Sequence, residues 1–515
     1  MNLINYLADR AIEHPERIAL IDSKSSISYG ELYSHVCGAS QQLRSDGLGD
    51  GDGDTVLILQ PVGIPLYISL LAAFHAGLTV MFIDPSAGKS MMRNSLSLHQ
   101  PKAFIGAGKS HLLRITIPEI RRIPLHYHSS GWAPGSRRWT AELSDHTQPV
   151  ESTPDSPALI TFTSGSTGMP KAACRTHGFL LAQHKALAES LDYVEGEIDL
   201  VTLPIFTLAN LASGLTSVLA DTDLRFPALA NSPAILDQCD KHQVTRCAAS
   251  PAFFTKLFRD KQLPNFKAIY TGGAPVFPNL LDEIQAARPE MDVVTVFGST
   301  EAEPIAYIRW KDTSEEDHMK MLEGKGLLVG KPVSATQLKI IPDQSGQEIG
   351  SMSTEDFEAL ELPCGDIGEI AVTGDHVLKG YLNGKGNEES KINVGDDVWH
   401  RTGDAAWLDD SGRVWLVGRC SAAIQRPDKK PIYPFGIECT AMSHPGVKRC
   451  ALILHEKRTT LFVEGHISET QLESLLKPLG VEKVQAISHI PVDKRHNAKI
   501  DYPALRELLS QSTST

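Results

Sequence analysis

The chain has 515 residues, 42% hydrophobic and 22% charged, and a formal net charge of −13 from 49 basic and 62 acidic residues. That length predicts two or more domains. The acidic balance, with no basic run read as a local exception, excludes nucleic acid as the main partner and requires a dedicated local site for any anionic ligand.

The N-terminus, MNLINYLADRAIEHPERIAL, mixes apolar and charged residues from the start and lacks the layout of a secretion signal, so a cytoplasmic, soluble protein is expected. DGDGD at 50–54 begins like a calcium loop, but the sixth position is not Gly and the twelfth is Pro61, so it reads as a solvated turn. The apolar stretch 64–83 is interrupted by Pro65, Ser69, His75 and Gly77; a buried helix, a stop at Gly77 and a strand over 78–83 fit it better than a bilayer span. Short β-branched runs at 55–59, 79–83, 158–162 and 293–297 alternate with longer amphipathic stretches, the pattern of an α/β fold with largely parallel sheets. Residues 129–157, rich in Ser, Pro and Trp, read as a surface connection. Beyond about Gly330 the pattern changes to strands separated by turns, at 338–341, 369–373 and 414–417, with an irregular acidic stretch over 343–366 that has no assigned role. Past Arg419 a small α+β unit is expected, with strands at 449–454 and 460–464 and a helix over 469–479; the tail after Leu509 reads as disordered. Eight scattered cysteines without a C-x-x-C pair predict reduced thiols and no structural zinc.

The most informative segment is LITFTSGSTGMPK at 159–171. A buried strand runs into a loop dense in Ser, Thr and Gly and ends in Lys171. Glycines let the backbone approach phosphate oxygens, hydroxyls and N–H groups donate to them, and the lysine neutralises charge. The common P-loop would need Gly immediately before the lysine, where Pro170 stands.

With YTGGAP at 270–275, FGSTE at 297–301, WHRTGD at 399–404, Gly418-Arg419 and NAKI at 497–500, the chain resembles the adenylate-forming superfamily of acyl-CoA synthetases, peptide-synthetase adenylation domains and luciferases. The resemblance spans roughly 160–500, and SYGELY at 28–33 also fits. It implies a large N-terminal AMP-binding domain of stacked α/β subdomains over 1–418 and a small mobile α+β domain over 419–515. It implies ATP as substrate, Mg²⁺, and a small-molecule carboxylic acid. Thr163, Ser164, Gly165, Ser166, Thr167, Gly168 and Lys171 would clasp the triphosphate. Gly272, Gly273 and Ala274 would line the adenine, with Phe297 where the family usually has a stacking tyrosine and Gly298 and Ser299 beside it. Thr300 would contact the α-phosphate, Glu301 would hold Mg²⁺, and Asp404 would bind the ribose hydroxyls with Arg419 nearby. Lys499 would act directly in adenylation by contacting the oxygens whose charge changes. His177 reads as a structural histidine, Cys174 as an unactivated thiol, and 203–214 (LPIFTLANLASG) as a wall of the acyl pocket or as core.

Several positions depart from the general pattern. Ser421 stands at the hinge position usually held by Asp or Lys, RPDKKPIYPFGIE replaces the usual glycine-pair hairpin while keeping Pro434 and Glu438, and Thr207 stands where acyl-CoA synthetases often carry His. Together with PVDKRHNAKIDYPALREL, FGSTEAEPIA, GRCS and YPFGIE, these resemble the β-lactone synthetases of long-chain olefin biosynthesis. That branch adenylates a 2-alkyl-3-hydroxy fatty acid, whose own hydroxyl then closes on the acyl carbon and expels AMP, so proximity replaces a second substrate. An acyl-CoA ligase and an acyl transfer to a carrier protein remain the alternatives, and with them the status of CoA. No membrane anchor is visible; association with other enzymes of a lipid pathway is compatible with such a substrate.

Overall fold

Alternating β-branched runs and amphipathic stretches fold as their periods direct, in two compact units: Met1–Ala220 with Asp375–Glu388, and Asp221–Gly374 with Glu389–Thr515. The computed structural model describes residues 2–49, 53–164, 170–426, 429–493 and 499–512.

The first unit carries a seven-stranded sheet in the order Arg137–Arg138, Leu125–His128, Ala103–Gly106, Thr55–Leu59, Thr79–Met81, Pro157–Ser164, Pro170–Thr176. Its neighbours run parallel except the last pair, which is antiparallel. Parallel strands are buried on both faces and read as continuous apolar runs; all five residues of Thr55–Leu59 are buried. The strand at 79 stops at Met81, two residues short of the expected end. The helix Ile64–His75, buried at every position but Pro65, takes the place of the apparent membrane stretch and ends before Gly77, whose φ of 74° suits glycine. Among the described residues no helix is long and apolar enough to cross a membrane. In this unit Ile198–Val201, Thr216–Leu219 and Ile18–Ile21 also pair in parallel, with Ser26–Ser28 antiparallel at the edge.

Two expectations here need correction. Asp54 of the DGDGD turn is buried, accepting from the Gly49 N–H at 3.3 Å and pairing with Lys102, because the chain must cap the incoming Thr55 strand there. Asp50 and Asp52 lie outside the described residues. The 129–157 connection is partly interior: Trp139 is buried with its ring edge-on to Tyr127 at 5.5 Å.

In the second unit the strands Arg246–Ala249, Ala268–Gly272 and Asp292–Ser299 run parallel. The sheet then turns antiparallel through Ala302–Arg309, Leu327–Pro332, Val414–Arg419, Asp397–Leu408, Gly368–Thr373 and Gln337–Ile341. The acidic stretch 343–366 contains the helix Thr354–Ala359, and Asp343 accepts the Tyr433 hydroxyl at 2.8 Å, so it has a structural role the charge pattern did not reveal. Toward the C-terminus a three-stranded sheet, Val447–His455, Arg458–Gly465 and Lys483–Ala486, carries the helices Pro434–Met442 and Glu469–Leu476 and the final helix Tyr502–Ser512. The expected 469–479 helix finishes as a 3₁₀ turn over its last three residues.

Candidate active site

In the second unit the FGSTE segment is the turn of a hairpin. Asp292–Ser299 pairs antiparallel with Ala302–Arg309, Phe297 opposite Ala306 and Ser299 opposite Ala302, so Thr300 and Glu301 stand at its tip. Gly272 lies opposite Val296 on the neighbouring parallel strand, where a Cβ would sit 2.2 Å from the Val296 carbonyl oxygen. Gly273 follows in the left-handed region at φ 78°, with Ala274 next, and the turn leaves open space where a side chain would project. Phe297 is half-buried. The Ser299 hydroxyl is buried and meets no hydrogen-bond partner among the described residues. A buried orphan of this kind suits a group completed by a ligand.

Asp404 and Arg419 face each other across the antiparallel pair Asp397–Leu408 and Val414–Arg419, and Arg419 Nη1 donates to Asp404 Oδ1 at 2.9 Å. Burial raises the Asp404 carboxyl above the ordinary aspartate range, against the pull of Arg419 and, less strongly, of Lys499. Arg419 is raised in turn, chiefly by Asp404, with Glu301 adding to the same field. Lys499 is exposed and closes a short hairpin: its N–H donates to Asp493 Oδ1 at 3.1 Å, its carbonyl accepts from Asp493 N–H at 2.8 Å, and Val492 pairs with Ile500. Asn497 and the rest of that tip lie outside the described residues.

Glu303 was missed by the sequence reading. Two residues beyond Glu301, half-buried, it is pushed by burial up to about 8 against the pull of the Lys499 ammonium. A Cβ on Gly298 would lie 2.6 Å from its Oε2, so the bare glycine makes room for this carboxyl. A carboxyl within the otherwise apolar AEPIAYI run was the available signal.

In the first unit the phosphate-loop segment is also a hairpin. Thr163 pairs with Lys171 and Ser164 with Pro170, while Gly165, Ser166, Thr167 and Gly168 fall outside the described residues, as do the side chains of Thr163 and Ser164. Lys171 is seated by distant sequence: its ammonium lies 5.5 Å from the centre of the Tyr381 ring, and a Cβ on Gly386 would come within 3.0 Å of Nζ. The bridge between Ala173 and Tyr381 fixes that arrangement. The helix Phe206–Ala212 is buried throughout, with the Thr207 hydroxyl donating to Tyr67 Oη at 2.8 Å.

His177 opens the helix His177–Ser190, buried edge-on to Phe74 at 5.4 Å, and desolvation lowers it to about 4; it is a packed neutral histidine. Burial pushes the Cys174 thiol up, which opposes thiolate formation. No disulfide joins any of the eight cysteines. Among the described residues, Asp343, Glu369 and Cys420 bring donor atoms within 4.8 Å of one another. Asp343 is engaged by Tyr433, Glu369 by Arg401 and the Gly403 N–H, and Cys420 is held protonated by burial, so the cluster is a filled polar core.

A profile of AMP-binding enzymes matches residues 7–382. An olefin beta-lactone synthetase of Xanthomonas campestris pv. campestris is 29% identical over 512 residues, covering 92% of this chain and 89% of that protein. A 2-succinylbenzoate–CoA ligase of Bacillus licheniformis is 26% identical over 451 residues, covering 86% and 84%. In fold, the crystal structure of ATP-bound MatB from Rhodopseudomonas palustris aligns with a TM-score of 0.81 at 21% identity, over 99% of this chain and 100% of that one. The chain therefore belongs to the AMP-binding enzyme family and is an AMP-forming ligase that adenylates a carboxylic acid at the expense of ATP.

Proposed function

We propose that the acid is a long-chain 2-alkyl-3-hydroxy acid and that the enzyme converts it to a β-lactone. The observation that carries the adenylation chemistry is the Asp404–Arg419 pair, joined at 2.9 Å, with the Lys499 charge also acting on Asp404. The named relative, 29% identical over 92% of the chain, supports the lactone outcome, as does the replacement of the glycine-pair hairpin.

In the first step a carboxylate oxygen attacks the α-phosphorus and the bond to pyrophosphate breaks. Lys499 and Thr300 stabilise the oxygens that gain charge, Lys171 neutralises phosphate, Asp404 accepts from the ribose hydroxyls and Arg419 holds Asp404 in place. Glu301, an oxygen donor at the hairpin tip beside the Thr300 hydroxyl, matches the ligand chemistry of Mg²⁺, which takes one or two carboxylates together with substrate phosphates. Bound there, the ion would offset phosphate charge. In the second step the 3-hydroxyl oxygen bonds to the acyl carbon, its proton leaves, and the acyl–oxygen bond to AMP breaks. Residues 1–418 form the AMP-binding part in this reading, and 419–515 swing about Gly418-Arg419 to deliver Lys499.

The test is product mass after incubation with Mg-ATP and a long-chain 2-alkyl-3-hydroxy acid, with and without CoA. A product lighter by one water, formed without CoA, is expected. An acyl-CoA product formed only with CoA would overturn the lactone reading and leave adenylation intact.

A further inference from the structure

We propose that the loops at one edge of the seven-stranded sheet form a docking surface for an anionic phospholipid bilayer. The inference is independent of the acid's identity. The parallel neighbours Ala103–Gly106 and Leu125–His128 end side by side, and their outgoing loops are tied together: Gly108 N–H donates to Ser130 Oγ at 3.2 Å and Arg114 Nη1 to the Pro134 carbonyl at 2.7 Å. Three large apolar side chains project from these loops, Leu112 63% exposed, Ile115 76% and Trp132 75%. They are not spilled core, since Ile117, Ile120 and Ile123 beneath them already fill the interior on that side.

The charge around them runs against the rest of the molecule. The two loop segments, 107–116 and 129–138, hold four Lys or Arg and no acid, in a chain whose formal charge is −13. The overall acidity therefore conceals a local basic segment that the reading of composition passed over. Arg137 is neutralised by Asp46, and Arg114 is tied to the Pro134 carbonyl. Lys109 and Arg138 are exposed on these loops, and neither pairs with a carboxylate among the described residues.

Cations beside exposed Leu, Ile and Trp are the composition that seats a protein at the headgroup–acyl boundary. The apolar tips enter, the indole occupies the interface, and the cations meet anionic headgroups. The apolar groups are separate tips on loops and form no groove, which favours a fluid lipid surface over a folded partner. With no spanning helix among the described residues, the attachment is peripheral and reversible.

Co-sedimentation of the full chain with vesicles tests this, using equal parts phosphatidylglycerol and phosphatidylcholine against phosphatidylcholine alone. The wild type is expected to bind the anionic vesicles and to lose them as salt rises. L112S/I115S/W132S and K109E/R138E should each bind at least about 10-fold more weakly, while Leu143→Ser, an exposed apolar site elsewhere in the same unit, should bind like wild type. Both patch variants should retain pyrophosphate exchange, which shows that they fold. Brominated lipid should quench a tryptophan in the wild type and not in Trp132→Phe. Absence of wild-type binding, or equal binding by wild type and both patch variants, overturns the proposal. Patch-dependent capture of an acidic protein without any vesicle binding would assign the surface to that class instead.

Discussion

Lys499 and Glu438 are both charged groups of the C-terminal segment, and their surroundings give them opposite tasks. Lys499 is exposed at the end of a hairpin and projects its charge toward Asp404 and Glu303. Lys499→Ala should therefore lower acid-dependent ATP–pyrophosphate exchange by about 10²–10³ while ATP still binds; wild-type exchange in the variant would remove Lys499 from the chemistry. Glu438 is buried, its Oε1 accepting from Leu452 N–H at 3.0 Å and from the Tyr502 hydroxyl at 3.4 Å, and burial pushes it up to about 7. A folded-state value above the unfolded one means the native state binds the proton more tightly. The contribution is complete below the ordinary glutamate value near 4.5 and is lost as pH rises toward 7, by about 1.4 kcal/mol per pH unit. Urea denaturation of wild type and Glu438→Gln at pH 5 and pH 7 checks the sign. Wild type should lose stability relative to the variant on going to pH 7, and parallel behaviour would show that Glu438 does not titrate in this window.

At the scale of elements, the strands behind the candidate site are held by an ion pair with almost no solvent access. Arg401 on Asp397–Leu408 donates through Nη2 to Glu369 Oε2 at 2.7 Å, and Glu369 sits on the neighbouring Gly368–Thr373 strand. Further Arg401 bonds reach the Gln347 and Gln344 carbonyls at 2.6 and 2.8 Å. Removing one partner leaves the other charge buried, so Arg401→Met should cost about 3–5 kcal/mol in denaturant unfolding. The double variant Arg401→Met/Glu369→Leu should recover much of the loss, because no charge is then stranded. If the two losses add, the carboxylate has found water or another partner. The motifs WHRTGD and Gly418-Arg419 were legible as sequence, and the register that sets Asp404 against Arg419 makes a pair of them. Arg401, inside the same WHRTGD motif, carries no sign of its structural task until Glu369 is seen on the adjacent strand.

For the whole molecule, the decisive property is whether the acceptor is internal. With the 3-hydroxyl already on the substrate, CoA should leave the rate of acid consumption unchanged, and lactone and pyrophosphate should appear in equal amounts. A CoA-dependent rate would return the enzyme to the ligase class. The peripheral surface on the first unit is a second property of this scale, since it joins loops that follow two different strands.

The sequence by itself determined the fold class, the family and most of the motif residues. Those signals are local: strand periodicity, a glycine-rich hairpin before Lys171, and short runs whose chemistry depends on neighbours along the chain. Tertiary structure decided what depends on neighbours across the chain. Tyr381 and Gly386 come to Lys171 through strand pairing, and Glu303 shows its perturbed character only once Gly298 and Lys499 stand beside it. Leu112, Ile115 and Trp132 become one surface because parallel strands bring their loops together. Burial and electrostatic fields sum over groups that meet in space, and linear order does not contain that sum.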